Sequence, residues 1–251
     1  MGLTEKYRRL PYFFRELMIR QAVNMFPTSP TKRSKIKSAQ RLLAVVERPK
    51  SGRYMHWMST FNDETKQPLY SDFFREQTKG ANATGILATW MQRANGIGVV
   101  DALLLTDQMT YLPNDLLVKV DIATMAVSLE ARSPFLDHHV IEFAASLPQN
   151  LKLRRLTGKY LLKKVLRKLL PSENLNRRKM GFGVPIGHWF RGKMQPFLRE
   201  VVLSEKALRR GLFKPDAVRQ LVELHTRGER DHSHQLWTLL MLELWFNRFI
   251  D

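Results

Sequence analysis

Apolar positions along the chain recur mainly at three- and four-residue intervals, the spacing of amphipathic helices. Between Arg8 and Met25, the residues Leu10, Phe13, Phe14, Leu17, Met18, Ala22 and Val23 share one face, and Pro27 and Pro30 stop the run. Thr31 to Lys37 follows as a basic linker or first helical turn, and Gln40 to Glu47 predicts a helix lasting until Pro49. The aromatic-rich segment Ser51 to Met58 predicts another helix, as do Pro68 to Glu76 and Ala83 to Ala94. No strands alternate with these helices, so these residues alone build no parallel sheet.

In the middle third, Asn114 is placed to cap a helix from Asp115 to Ser128, with Leu116, Leu117, Val120, Ala123 and Val127 on one face. Leu129 to Asp137 reads as a compact loop, because Pro134 drives Ser133 out of helical geometry. Asp137 is placed to cap the next helix, Val140 to Leu147, which Pro148 ends. Lys159 to Leu170 predicts a helix with a basic outer face, closed by Pro171. After it, Arg177 to Pro185 is a loop punctuated by Gly181 and Gly183. Pro215 suits the first turn of a helix reaching His225, and a last apolar helix runs from Ser233 to Phe249. No internal repeat is visible.

Composition narrows the classes. A chain of 251 residues with 44% apolar and 25% charged residues is an ordinary globular chain, not a disordered or collagen-like one. With Cys 0, disulfide scaffolds, thiolate nucleophiles and cysteine-ligated metal sites are excluded. The apolar stretches Ile97 to Leu105 and Leu236 to Phe249 are too short or too interrupted to span a membrane. Met1 to Leu10 lacks the apolar run of a secretory signal, so the expected location is cytoplasmic. The charge is unusual: 41 Lys and Arg against 23 Asp and Glu give +18. Such a chain expects anionic company, or else the balancing acids belong to another part of a larger polypeptide.

Few residues announce chemistry. No phosphate loop of the Walker or dinucleotide type is present. Gly181-Phe182-Gly183 follows Arg177, Arg178 and Lys179, and this reads either as a tight turn or as an anion site built from backbone N–H groups and a fixed ammonium. No histidine pair has metal-ligand spacing with a third ligand nearby. Asp231-His232-Ser233-His234 fits a helix start better than a metal site. Glu130, two residues from Arg132 and beside a Pro-Phe turn, is either a surface charge or a partly buried orienting group or general base.

Several ordered blocks carry a resemblance. Tyr111 to Asp121 runs into Met125 to Asp137, and Gly158 to Leu162, Lys179 to Ile186 and Leu236 to Leu240 follow in register. Together these resemble the C-terminal part of the synthetase domain of glutamine-dependent asparagine synthetases, a domain shared with the beta-lactam synthetases. The resemblance is close over 107–251 and looser over 1–106, two regions that alternatively make one continuous domain. It implies a mostly α fold: the multi-helix part of an adenine-nucleotide alpha-hydrolase-like (PP-loop) synthetase domain, without its N-terminal parallel sheet.

The resemblance also implies a reaction, in which ATP activates the aspartate side-chain carboxylate as an adenylate, and ammonia derived from glutamine then forms the amide. ATP and Mg2+ are the implied cofactors. Lys179 matches the lysine of the family's Lys-x-Gly-Phe loop and is expected to contact phosphates or the tetrahedral intermediate, with Gly181 and Gly183 in the same binding loop. Glu130 matches the family's glutamate and is expected to orient Lys179 or help remove a proton from the nucleophile. Arg132 is expected to pair with Glu130 or a substrate carboxylate, whereas Asp121 and Asp137 read as structural.

The sequence departs from the family in lacking the glutaminase cysteine, the Ser-Gly-Gly-x-Asp-Ser pyrophosphatase loop and the later acidic magnesium-holding block. The expectation is a part that is inactive alone and needs the missing nucleotide-binding and glutaminase segment, with no membrane partner. Two rivals stand beside it. One is a degenerate, non-catalytic interaction module. The other, ranked last because the cations are spread over many helices, is a basic nucleic-acid-binding protein.

Overall fold

The computed structural model describes residues 50–81, 83–177 and 183–251, together with residues 11, 43, 45, 46 and 48. The helix expected from Arg8 to Met25 and the basic linker after it lie outside the described residues, Pro11 excepted. Two contact units emerge: the described residues of Met1–Ala81 with Gly183–Asp251, and those of Asn82–Phe182. The division at residue 106 is one of resemblance, and it lies within the helix Val99–Met109.

The first unit opens with α1 (Lys50–Met58), which buries Tyr54 and Met55. Of the expected helix from Pro68 to Glu76, only the part from Asp72 is helical, and a separate short helix precedes it. Helix α2 (Asp63–Lys66) starts at an Asn62–Thr65 capping box, and α3 (Asp72–Gln77) starts at Ser71, whose side chain accepts from the Phe74 N–H at 3.0 Å. Between them residues 67–69 form a turn, after which Tyr70 bridges to Phe213, and the Lys214 N–H donates to the Leu69 carbonyl at 2.8 Å. A distant partner thus overrides local helical preference.

In the second unit, α4 (Ala83–Arg93) packs on α5 (Val99–Met109), which buries Ala102 and Thr106. Gly98 opens α5, and a Cβ there would meet the tip of the exposed Gln149 side chain at 2.6 Å, which would have to swing aside. Asn114 does not start a helix. The chain continues from Tyr111 through a π-helical turn, Leu112–Leu117, directly into α6 (Val118–Met125), and the Asn114 side-chain amide donates back to the Thr110 carbonyl at 2.8 Å. Pro113 has no N–H to give, and the widened turn accommodates it.

A 3-10 turn, Pro134–Leu136, precedes α7 (His138–Ser146), where Asp137 accepts from the His139 and Val140 N–H groups at 2.9 and 3.3 Å. Asp137 is thus a cap, as expected, although its helix begins two residues early. Helix α8 (Gln149–Lys152) leads into a two-residue antiparallel hairpin, β1 (Leu153–Arg154) with β2 (Thr157–Gly158). Helices α9 (Tyr160–Leu166) and α10 (Ser172–Asn176) complete the unit. Helix α9 is shorter than the sequence pattern suggested.

The chain returns to the first unit through α11 (Ile186–Arg191), α12 (Gln195–Val202), α13 (Glu205–Arg209), α14 (Pro215–Thr226) and α15 (Ser233–Phe249). Pro215 occupies the first turn of α14, where its missing N–H costs nothing. Leu69, Phe190, Leu198, Val202, Val218, Val222, Leu236, Leu239 and Leu240 interlock as the core. The molecule is mostly α-helical, and its described residues form no sheet beyond the small hairpin.

Candidate functional site

Glu130 and Arg132 sit on a short extended segment whose two ends are fixed. At its start, Ser128 adopts a left-handed backbone, φ 57°, beyond the last turn of α6. The Leu129 N–H donates to the Thr124 carbonyl and the Ser128 N–H to that of Met125, each at 3.0 Å. This is a Schellman closure with a serine where glycine is favoured, so the local backbone holds strain. At the other end Pro134 keeps Ser133 extended, φ −93° and ψ 123°, and Asp137 ties the segment to α7.

On this segment the Arg132 Nε donates to the Glu130 Oε1 at 2.7 Å. Both side chains are open to solvent, 68% exposed for Glu130 and 84% for Arg132. Of the two sequence-based readings, a surface charge or a partly buried group, the structure thus shows an exposed carboxylate. An exposed pair of this kind contributes about 0.2–1 kcal/mol to stability. Asp121 lies exposed on α6.

Lys179 and Gly181 lie outside the described residues. Gly183 is exposed in the first unit, and Val184 and Pro185 carry the chain from it into α11. The His188 and Trp189 N–H groups donate to the Pro185 carbonyl at 3.0 and 3.1 Å, and Ile186 and Phe190 bury the other face of the helix.

Part of the positive charge is concentrated in one stretch of the chain. No acid occurs between Glu142 and Glu173, a stretch holding Lys152, Arg154, Arg155, Lys159, Lys163, Lys164, Arg167 and Lys168. Lys152 is committed to Asp101 at 2.7 Å. Lys159 takes a left-handed backbone, φ 55°, at the start of α9. Among the described residues no group of His, Asp and Glu is placed to hold a metal ion, so no magnesium ligand set is assigned to them. Asp231 serves Ser233 as a helix start, accepting from its N–H at 3.2 Å and its hydroxyl at 2.7 Å. No described helix is long and apolar enough to cross a membrane.

A polar node in the first unit escaped the sequence reading. Arg210 pairs with Glu243 at 2.8 Å and with Asp251, while its guanidinium lies 4.3 Å from the Phe246 ring centre. Its hydrogen bond to Asp251 raises the Arg210 pKa, and that same bond lowers the Asp251 carboxyl to about 2. Sequence separations this large leave no local signal. His225, wholly buried, was a legible anomaly, because it falls on the same α14 face as Val218, Leu221 and Val222.

The family model described as asparagine synthase matches residues 7–247. The glutamine-hydrolysing asparagine synthetase 1 of Bacillus subtilis (strain 168) is 32% identical over 208 residues, which is 81% of this chain and 31% of that protein. A putative glutamine-hydrolysing asparagine synthetase of Mycobacterium bovis (strain ATCC BAA-935 / AF2122/97) is 42% identical over 146 residues, 58% of this chain and 22% of that protein. The chain thus spans less than a third of the length of these relatives. No solved structure matches.

Proposed function

The chain belongs to the asparagine synthase family, and from that premise we propose that it supplies the helical, substrate-facing part of an ATP-dependent amide ligase. The single observation supporting this reading is the Glu130–Arg132 pair, solvent-exposed yet mounted on a strained, doubly anchored segment, where the resemblance assigns the family's glutamate. A fixed carboxylate needs a fixed backbone, and the anchored segment supplies one.

In the proposed reaction an oxygen of the aspartate side-chain carboxylate attacks the α-phosphorus of ATP, and pyrophosphate leaves. Ammonia then attacks the activated carbonyl carbon, AMP leaves with the bonding electrons of the C–O bond, and the nitrogen sheds a proton. Lys179 and the Gly181–Gly183 turn are assigned to the phosphates or the tetrahedral intermediate, where positive charge and backbone N–H groups offset developing negative charge. Arg132 holds one Glu130 oxygen, leaving the other to orient Lys179 or take the nitrogen's proton. Magnesium ligands and the nucleotide-binding sheet belong, in this reading, to another part of the synthetase, and the assembled enzyme is cytoplasmic. The exposed apolar side chains of Ile122, Val127, Phe135 and Phe143 suit burial against that part.

The test joins the chain to a nucleotide-binding segment bearing Ser-Gly-Gly-x-Asp-Ser. Aspartate-dependent ATP–pyrophosphate exchange is expected, and Lys179→Ala is expected to abolish it. Absence of exchange with every amino-acid acceptor overturns the reading.

A further inference from the structure

Of the asparagines in the sequence, Asn95 alone is followed by glycine. Asn95 and Gly96 lie in the turn between α4 and α5 of the second unit, and both are exposed, although Ala94 just before them is buried. The turn closes through its neighbours. The Asn95 N–H donates to the Gln92 carbonyl at 3.0 Å and the Ile97 N–H to the Ala94 carbonyl at 3.4 Å. Among the described residues, no hydrogen bond engages the Gly96 N–H or the Asn95 side chain. Gly96 takes a left-handed backbone, φ 94°, and a Cβ there would find no heavy atom within 4 Å. The other described asparagines are held differently. The Asn62 side chain accepts from the Thr65 N–H at 3.0 Å, the Asn114 amide donates to the Thr110 carbonyl at 2.8 Å, and Asn150, Asn174, Asn176 and Asn247 lie within helices.

We propose that Asn95 is a site of spontaneous covalent modification, converting to aspartate and isoaspartate through a succinimide closed by the Gly96 nitrogen. Hydroxide takes the Gly96 amide proton, and the nitrogen's electron pair forms a bond to the Asn95 Cγ. The Cγ–Nδ2 bond breaks, the departing nitrogen takes a proton from water, and ammonia leaves while hydroxide is regenerated. Water then opens the ring at one of its two carbonyls. Breaking the new Cγ–N bond gives aspartate. Breaking the original C–N bond leaves Gly96 attached through Cγ, which is isoaspartate. The sum consumes one water and releases one ammonia. Each demand of this chemistry meets a feature of the turn. The proton to be removed is unpaired and open to solvent, glycine places no Cβ beside the attacking nitrogen, and the unbonded side chain is free to rotate into the ring. Closure joins groups on adjacent residues, so it has the advantage of an intramolecular reaction. Isoaspartate routes the main chain through its Cβ, which lengthens the connection between two helices that pack on each other. Nothing in this inference depends on the function proposed above.

Peptide mapping tests this on the folded 251-residue chain, incubated in mildly alkaline buffer and sampled over time. The tryptic peptide from Ala94 to Lys119 is expected to gain the mass of water less ammonia. That peptide also contains Asn114, so fragmentation must assign the gain to Asn95. Labelling by an isoaspartyl methyltransferase is expected to rise in parallel. Conversion at Asn95 is expected to run at least about tenfold faster than at any other described asparagine. Asn95→Gln, which can close only a larger ring, is expected to remove the mass gain and the label together. Gly96→Ala sets a methyl group beside the attacking nitrogen and is expected to slow conversion at least about tenfold. Its left-handed position strains an alanine, so if that variant fails to fold, Asn95→Gln at the exposed neighbouring position decides the matter. An unchanged Asn95 in the folded chain, or prior conversion at another described asparagine, overturns the proposal.

Discussion

Phe190 and Phe143 are the same residue in helices of similar pattern, yet Phe190 has no exposed surface and Phe143 is 62% exposed. Val222 and Val127 repeat the contrast, at 0% and 73%. In the first unit, α11, α12, α14 and α15 each turn an apolar face onto another, and the faces close on one another. In the second unit the stretch from α6 to α7 presents Ile122, Val127, Phe135 and Phe143 outward. An amphipathic pattern specifies a face to be covered, not the cover itself. One region carries its own partner. The other is patterned for a surface that its own described residues do not provide.

Truncation breaks this contrast most sharply. Phe190→Ala is expected to cost about 4 kcal/mol, because it removes a ring packed against His225 and Trp237 and leaves a cavity. Phe143→Ala is expected to change stability by less than about 0.5 kcal/mol, as for a surface site. Denaturant unfolding of both variants measures the difference, and equal losses would show that the two regions do not differ in burial.

Next in size is the polar clamp on α15. Arg210→Met is expected to cost about 3 kcal/mol, because it leaves Glu243, whose side chain is 7% exposed, charged and without its partner. A double variant that also replaces Glu243 with Gln should recover much of the loss, and a double-mutant cycle reads the coupling. The clamp also has a pH signature. The Asp251 pKa is lowered from 3.8 to about 2, chiefly by the Arg210 hydrogen bond, so its contribution is complete above 3.8 and is lost as the pH falls toward 2. Thermal unfolding of wild type should show that acid step, and Asp251→Asn should not.

The same contrast explains what could be read from the sequence. The ends of α4, α14 and α15 were legible because local signals mark them: Pro215 at the first turn of α14, and the Asp231–Ser233 start of α15. Asp137 was legible as a cap for the same reason. Helix α5 was not, since the nearly unbroken apolar run from Ile97 to Leu105 hides its periodicity. Nor was the break at Tyr70, which depends on pairing with Phe213, or the π-helical turn, which makes Asn114 resemble a cap. Of the candidate site, the sequence left Arg132 to pair with Glu130 or a substrate carboxylate, and the structure shows the first, because the extended segment brings the two side chains within 2.7 Å. Lys179 and Gly181 lie beyond what the described residues can address.

The smallest expected effect on stability belongs to the site itself, and that is what makes it informative. Glu130→Gln removes an exposed ion pair and should shift unfolding by less than about 0.5 kcal/mol. A residue kept for folding would cost more, and a decorative one would cost nothing in any assay. In the joined synthetase the same substitution is expected to lower kcat for amide formation by about 100-fold while leaving pyrophosphate exchange less affected, if the carboxylate takes a proton from the attacking nitrogen. If it instead orients Lys179, exchange and amide formation should fall together. Separate measurement of the two half-reactions thus distinguishes the roles, and unchanged rates in both would remove Glu130 from the chemistry while leaving its Schellman-anchored loop a purely local feature of the second unit.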